Sequence, residues 1–597
     1  MNPFSSIRRE FVFIRTMLGT LKKISHIDPN SNFLITDEFE QIVDSHKKRT
    51  AFICQGRQWT YQQFDNYANR VASWALSAEL VPGDTLALFC RNRLEYVAIW
   101  FGLSKVGIQA ALVNDLLTGK GLAHCLSVAD SKMILCDPDL VEIADNAIKH
   151  LPNKLPLWTF DGADNDAQDF DTAINNASDT RPDRNLRDGI KARDTLLKMF
   201  TSGTTGLPKS VKVSHVRAQR YAHSFSAAMR AKKTDRMMMV LPLYHATGGL
   251  CGVGTALMNG GALIIEKSFS ARNFWEIAYR NKATLFTYVG EICRFLINTK
   301  PGKYDKKHKI RAMLGNGLRP EVWTEFKQRF GVKTIAEFYG ATEGNVGLMN
   351  ADGTVGAMGR IPWYVKKAFN LELVAHNFET GEVVRGKDGF CQRVKANVTG
   401  EAIGRIDSDD PRFLFEGYGN AKDTNKKILS DVFRKGDRYF RTGDLMKKDR
   451  NAYYYFVDRI GDTFRWMAQN VATGEVAAVL NNFAGVQLAN VYGVKVPKHD
   501  GRAGMAALAI DGTLDGKALY KHLQESLPVY ARPLFLRLVE NTETTGTFKF
   551  KKTELVADGF ALNKIKDPLF IIDNANQDYI PLTKNIEQAI LAGSYRF

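Results

Sequence analysis

Between Ile7 and Leu21 the apolar residues recur three or four positions apart, as Ile7, Phe11, Ile14, Leu18 and Leu21. At about 100° per residue they fall on one face of a helix. From about Thr60 to Cys136 the pattern changes. Helical stretches, TYQQFDNYANRVASWAL and LEYVAIWFGLSKVG, alternate with short apolar runs, TLALFC, QAALVN and KMILCD. That alternation predicts parallel sheet with crossover helices. The same rhythm returns from Arg236 to Phe338 in MMMVLPLY, ALIIEK, TLFTYV and TIAEFY, and a more β-rich stretch follows in FNLELVAH, RYFRTGDL and AYYYFVDR. After Arg459 comes a small mixed unit: a helix around EVAAVLNNF, strands LANVYGVKV and MAALAI, a helix GKALYKHLQESL and a strand FLRLVE. Regular signals are fewer from Lys551 onward. The expected class is α/β. A large N-terminal domain of parallel-rich sheets with flanking helices carries a β-rich subdomain, and a small α+β domain follows. The boundaries expected are residues 1–24 for the amphipathic helix, 25–460 for the large domain and 461–597 for the small one.

Charge changes this picture more than composition does. Of 597 residues, 45% are apolar and 24% charged, which is ordinary for a globular chain. Lys and Arg outnumber Asp and Glu by 81 to 64, leaving +17, and such an excess favours an anionic partner. With no zinc-finger spacing and no RNP-like aromatic signature, nucleic acid is not expected. Arg8, Arg9, Arg15, Lys22 and Lys23 surround the helical stripe against a single acid, Glu10. This is the pattern of a helix lying in a membrane interface, and equally of one docked on its own protein. A second basic cluster, Lys300, Lys303, Lys306, Lys307, Lys309 and Arg311, reads as a solvated loop or as another contact with anionic lipid. No uncharged apolar run reaches the 18 or so residues that span a bilayer, and no cleavable signal pattern is seen. Seven scattered cysteines without a CxxC pair suggest reduced, buried thiols.

Candidate chemistry begins at Thr201, where the chain reads TSGTTGLPKS. Gly203 and Gly206 let backbone N–H groups converge on an anion, and Ser202, Thr204 and Thr205 add rotatable donors. The spacing is not that of a Walker loop, and Lys209 follows a proline rather than a glycine. Alone, the stretch also reads as a solvated turn. Tyr339 to Gly344 read YGATEG: the tyrosine suits stacking on a flat base, and Glu343 suits a magnesium ion near phosphates. In RTGDL, Asp444 follows a glycine turn and suits ribose hydroxyls, or a helix cap; Arg459 in DRIGD suits the same ribose, phosphates or a nearby acid.

TSGTTGLPK, LPLYH, GNGLRP, YGATEG, RTGDL and DRIGD stand in the order found in adenylate-forming enzymes, which this chain resembles from about Phe52 onward. DRIGDTFRW, NVATGEV, LPVYARPLFLRL and TGTFKFKK look like the fatty-acid transport protein and very-long-chain acyl-CoA synthetase branch. The resemblance implies ATP-dependent joining of a carboxylate to the α-phosphate, release of pyrophosphate, and displacement of AMP by CoA. It implies that Thr201, Ser202, Gly203, Thr204, Thr205, Gly206 and Lys209 hold the β- and γ-phosphates. Gly315, Asn316, Gly317 and Tyr339, with Gly340, Ala341 and Thr342, would flank adenine; Asp444 and Arg459 would hold ribose. Glu343, with Thr204, would ligate Mg2+. His245 would sit near the acyl pocket, and Trp466 and Ala468 beside the thioester-forming face. Lys549 is the best match to the family's catalytic lysine, with Lys551 and Lys552 close by. The small domain would be mobile and swivel at Gly461.

One departure stands out. The branch has Trp-Lys-Gly-Glu-Asn where this chain has Trp466-Met467-Ala468-Gln469-Asn470. Adenylation is expected to be untouched, while the thioester step is exposed to the change. The function expected is therefore a long-chain or very-long-chain fatty acid CoA ligase, peripheral on the cytoplasmic face of a membrane. Its partners would be fatty acid, ATP, CoA and an anionic membrane surface, with a homodimer left open. Two alternatives remain: an acyl-AMP ligase with a non-CoA acceptor, or a fatty-acid uptake protein with a vestigial site.

Overall fold

The computed structural model describes residues 3–162, 167–201, 208–341, 344–377, 380–407, 410, 413–418, 421–467, 469–499, 501–540 and 552–597. They divide into two compact units. One comprises Met1–Arg360, Ala368–Asn370 and Arg405–Ile428; the other Ile361–Lys367, Leu371–Gly404 and Leu429–Phe597.

The first unit is built on two sheets. In the seven-stranded sheet the order is Gln168–Asp169, Leu157–Thr159, Ser131–Cys136, Thr85–Phe89, Gln109–Leu112, Thr195–Thr201, Lys209–Ser214. All neighbours are parallel except the last pair, which is antiparallel. In the eight-stranded sheet the five strands Leu285–Val289, Ala312–Asn316, Thr334–Gly340, Arg236–Met239 and Ala262–Ile265 run parallel. These are the expected apolar runs. Their side chains are buried almost throughout, because helices cover both faces of a parallel sheet. The helix Tyr61–Ser77 begins where expected for a local reason. Thr60 accepts from the Gln63 N–H, and the Gln63 side chain accepts from the Thr60 N–H, a capping box. The strand pair Thr50–Cys54 and Arg57–Thr60 precedes it and lay outside the sequence expectations.

A buried ionic cluster ties four segments of this unit together. Lys105, with a side chain 1% exposed, donates to Glu40 at 2.8 Å and Asp65 at 2.7 Å. Arg187, equally buried, reaches Glu40 at 2.6 Å and Asp37 at 2.8 Å. Charges this deep persist because each has a partner and further hydrogen bonds.

The second unit contains an antiparallel layer and a mixed sheet. Strands Tyr453–Arg459, Arg438–Lys448, Thr399–Arg405 and Glu372–Val374 lie side by side in that order. The mixed sheet orders Val486–Val494, Ala503–Ile510, Phe535–Leu538, Leu569–Asp573 and Asp578–Pro581. Helices Thr473–Asn481 and Gly516–Ser526 help close its core, where Leu480, Met505, Leu519, Leu523, Phe535 and Ile571 are fully buried. Each such side chain contributes about 1.5–3 kcal/mol over its exposed state. The last two strands come from the tail in which the sequence showed few signals. All seven cysteines are buried and unpaired, as expected from their spacing.

Candidate functional site

In the first unit, Thr201 and Lys209, the two ends of TSGTTGLPK, are directly paired at the end of an antiparallel ladder. Residues 202–207 lie outside the described set, and with them Ser202, Gly203, Thr204, Thr205 and Gly206. The Lys209 ammonium donates to Asp423 Oδ1 at 2.9 Å and stands 5.1 Å from the centre of the Tyr418 ring. The residue before it is anchored too: the Pro208 carbonyl lies 3.0 Å from His124 Nε2. Neither Asp423 nor Tyr418 was singled out in the sequence. Both lie more than two hundred residues from Lys209, and the segments are joined by the bridge between Val211 and Tyr418 and by Ser214 Oγ donating to Glu416 Oε1 at 2.6 Å.

The adenine candidates sit at the carboxyl ends of adjacent parallel strands, where open α/β sheets bind ligands. Gly315 is in register with Tyr288 on one side and Glu337 on the other. A Cβ on Gly315 would fall 2.1 Å from the Tyr288 carbonyl, so the close strand approach requires glycine. Asn316 ends its strand and Gly317 is exposed. Tyr339, half-buried, and Gly340 end the next strand, with Ala341 immediately after. Thr342 and Glu343 lie outside the described residues.

Beneath these residues lies a group the sequence reading passed over. Glu337 is buried; Tyr288 O–H donates to its Oε2 at 2.6 Å and the Leu318 N–H to its Oε1 at 3.0 Å. Burial pushes its carboxyl up to about 8, while the hydrogen bonds from Tyr288 and from the Leu318 and Gly317 backbones pull it down. An acid inside an apolar strand is the signal that marks it: TIAEFY places Glu337 among residues bound for the core.

His245 caps a π-helical turn, Ala246–Gly252, with its carbonyl accepting from the Gly249 N–H at 2.7 Å. A Cβ on Gly249 would stand 1.9 Å from the Leu243 carbonyl, so LPLYH folds back against the turn only with glycine there. Single π-turns of this kind are frequent at functional sites.

In the second unit, Asp444 and Arg459 are cross-strand neighbours, with Arg459 Nε 3.6 Å from Asp444 Oδ1. Asp444 lies within the long strand Arg438–Lys448 rather than at a helix cap, its N–H donating to Thr442 Oγ1 at 3.0 Å. Gly461 follows two residues after Arg459. An added Cβ there meets nothing within 4 Å, and its φ is not in the left-handed region. Glycine is thus not demanded by this conformation.

The WMAQN segment is a hairpin: Phe464 pairs with Val471, Arg465 with Asn470 and Trp466 with Gln469. Met467 begins its two-residue turn with φ 50°, a left-handed backbone that costs about 1–2 kcal/mol in a side-chain-bearing residue. Trp466 is buried, stacked on His499 with ring centres 5.4 Å apart. Ala468, Lys549 and Lys551 lie outside the described residues. Lys552 is described and engaged: its ammonium donates to Asp462 Oδ2 at 3.1 Å and Thr473 Oγ1 at 3.0 Å. Burial raises the pKa of Asp458, which accepts from the Thr473 N–H at 2.6 Å; the nearby Lys552 charge acts the other way. Among the described residues no group of three or more His, Cys, Asp and Glu stands together as a metal site.

Comparison with known proteins places these motifs in context. A family profile described as AMP-binding enzyme matches residues 39–391. Long-chain fatty acid transport protein 6 of Mus musculus is 38% identical over 565 residues, covering 94% of this chain and 90% of that protein. Long-chain fatty acid transport protein 1 of Homo sapiens is 38% identical over 565 residues, with 93% and 87% covered. The fold is shared with the anthranilate CoA ligase AuaEII in complex with anthranoyl-AMP, with TM-score 0.76 and 19% identity over 90% of this chain and 98% of that one. It is shared as well with ATP-bound MatB from Rhodopseudomonas palustris, with TM-score 0.72 and 21% identity over 87% and 98%.

Proposed function

The chain belongs to the AMP-binding enzyme family, and we propose that it is a long-chain or very-long-chain fatty acid CoA ligase. In the first half-reaction a fatty carboxylate oxygen attacks the α-phosphorus of ATP, and the bond to the β,γ-diphosphate breaks. Acyl-AMP and pyrophosphate result. In the second, the CoA sulfur attacks the acyl carbon and AMP leaves with the bonding pair, giving the thioester.

The observation that carries this reading is the position of Lys209, paired with Thr201 at the end of the ladder, so that the hydroxyl- and glycine-rich segment between them would form a cradle for phosphate. Such a cradle stabilises charge building on a departing pyrophosphate without covalent chemistry. Tyr339 and the 315–317 backbone would hold adenine, Asp444 and Arg459 the ribose, and His245 would border the acyl chain. Glu343 and Thr204 offer the oxygen donors Mg2+ takes, and the ion would offset phosphate charge. Lys549 would bridge the carboxylate oxygen and the α-phosphate. Residues 461–597 would carry it as a small mobile domain swivelling at Gly461, whose glycine is unused in the present conformation.

A second reading, an acyl-AMP ligase with a non-CoA acceptor, is favoured by one feature, the Met467–Gln469 turn with its left-handed methionine. The relatives' name, long-chain fatty acid transport protein, also supports a third, fatty-acid uptake with a vestigial site. The test is a panel of fatty acids with ATP, with and without CoA. Fatty-acid-dependent ATP–pyrophosphate exchange is expected, and Lys549→Ala should abolish it; full exchange in that variant would refute the lysine assignment. Acyl-CoA detected by mass spectrometry separates the first reading from the second, and no exchange with any acid would leave the third.

A further inference from the structure

The helix Pro3–Ile24, here α1, is held to the first unit by residues outside its apolar stripe. Phe13 is buried, Glu10 is ion-paired with Arg360, and Lys23 donates to Ser226 Oγ at 2.7 Å and Asn259 Oδ1 at 3.1 Å. Its main neighbour is the helix His215–Met229. Surface helices ordinarily bury their apolar face. Here that face points out: Ile7 is 68% exposed, Phe11 63%, Leu18 57%, Leu21 48% and Ile14 37%. The stripe runs four turns without a break. Arg8, Arg15 and Lys22, all exposed and seven residues apart, form a basic row along one edge of it. The helix's one acid has its charge taken up by Arg360.

We propose that α1 docks the protein on an anionic lipid bilayer, the stripe entering the headgroup–acyl boundary while Arg8, Arg15 and Lys22 meet lipid phosphates. This goes beyond the catalytic reading and stands on separate observations. Charge decides the occupant. A row of three cations beside an apolar stripe complements an anionic surface, whereas a second copy of a chain carrying +17 would bring like charge against like. Among the described residues no helix is long and apolar enough to cross a membrane, so α1 would lie in the interface plane.

The test is co-sedimentation of the full chain with phosphatidylcholine vesicles, with and without phosphatidylglycerol. Binding is expected to be at least about tenfold stronger to the anionic vesicles and to weaken as salt is raised. The double variant F11D/L18D should lose about tenfold or more on both vesicle types, and R8Q/R15Q/K22Q should lose the anionic preference alone. All these side chains are exposed, so the melting temperature should match that of the unsubstituted chain. As a readout without a disruptive change, the fluorescence that Phe11→Trp adds should be quenched by brominated lipid. Unchanged vesicle binding of F11D/L18D, or no quenching of that added fluorescence, would overturn the proposal. So would dissociation of a dimer by F11D/L18D in sedimentation equilibrium with vesicle binding retained.

Discussion

Lys209 is paired with Asp423 at 2.9 Å, with side chains 20% and 26% exposed. A pair this accessible is worth only about 0–1 kcal/mol to the fold, but it competes for the charge that would hold the β- and γ-phosphates. Asp423→Asn should therefore leave the melting temperature almost unchanged and tighten ATP binding several-fold, as read by calorimetry without fatty acid. Glu337 yields a pH prediction. Its native pKa, about 8, stands above the ordinary carboxylate value, so the native state holds this proton more tightly than the unfolded chain. The stability it contributes is full in acid and is lost as pH climbs from the carboxylate range through about 8. Glu337→Gln keeps the acceptor for the Leu318 N–H and removes that slope, which urea titrations across the window would show. At this scale the sequence was legible where chemistry is local, as in the Gly and Thr run after Thr201. It was silent about Asp423 and Tyr418, because their meaning depends on a pairing with a strand more than two hundred residues away.

Elements were legible where periodicity is long and burial two-sided. The runs TLALFC, TLFTYV and TIAEFY became parallel strands, and TYQQFDNYANRVASWAL became a capped helix. Leu569–Asp573 and Asp578–Pro581 are short strands at one side of a mixed sheet, and residues of that length carry little pattern of their own. The glycine turn read before Asp444 is a strand irregularity. Gly443 has φ 78° inside a continuing strand, so the glycine marks a local irregularity rather than an end. The Trp466–Gln469 hairpin gives a prediction at this scale. Two-residue hairpin turns favour residues that tolerate positive φ, and Met467 does not. Met467→Asn should stabilise the second unit by up to about 1 kcal/mol in urea unfolding, since the left-handed cost is relieved. Its 53% exposure leaves little packing to lose.

Across the whole molecule, the α/β class and the family were readable from six ordered motifs, while the cohesion of the first unit was not. Lys105 ends a helix of almost unbroken apolar character, and nothing local says that it is buried with Glu40 and Asp65. Removing one partner strands the others, so Lys105→Met should cost about 3–5 kcal/mol and lower the first unit's unfolding midpoint. The effect should spare the second unit, whose core is separate. Tryptophans on both units (Trp74 and Trp100, Trp466) allow the two to be followed apart.

The buried cysteines have a chemical consequence. Burial pushes the thiols up, Cys54 to about 11 and Cys125 and Cys136 to about 12, with Cys90, Cys251, Cys293 and Cys391 raised as well. A thiol reacts as its thiolate, and at neutral pH these seven supply almost none. An enzyme that makes a mixed anhydride holds a strong acylating agent inside itself. With its own sulfurs sealed and protonated, the proposed ligase would offer no internal thiol to compete with an incoming one for the acyl group.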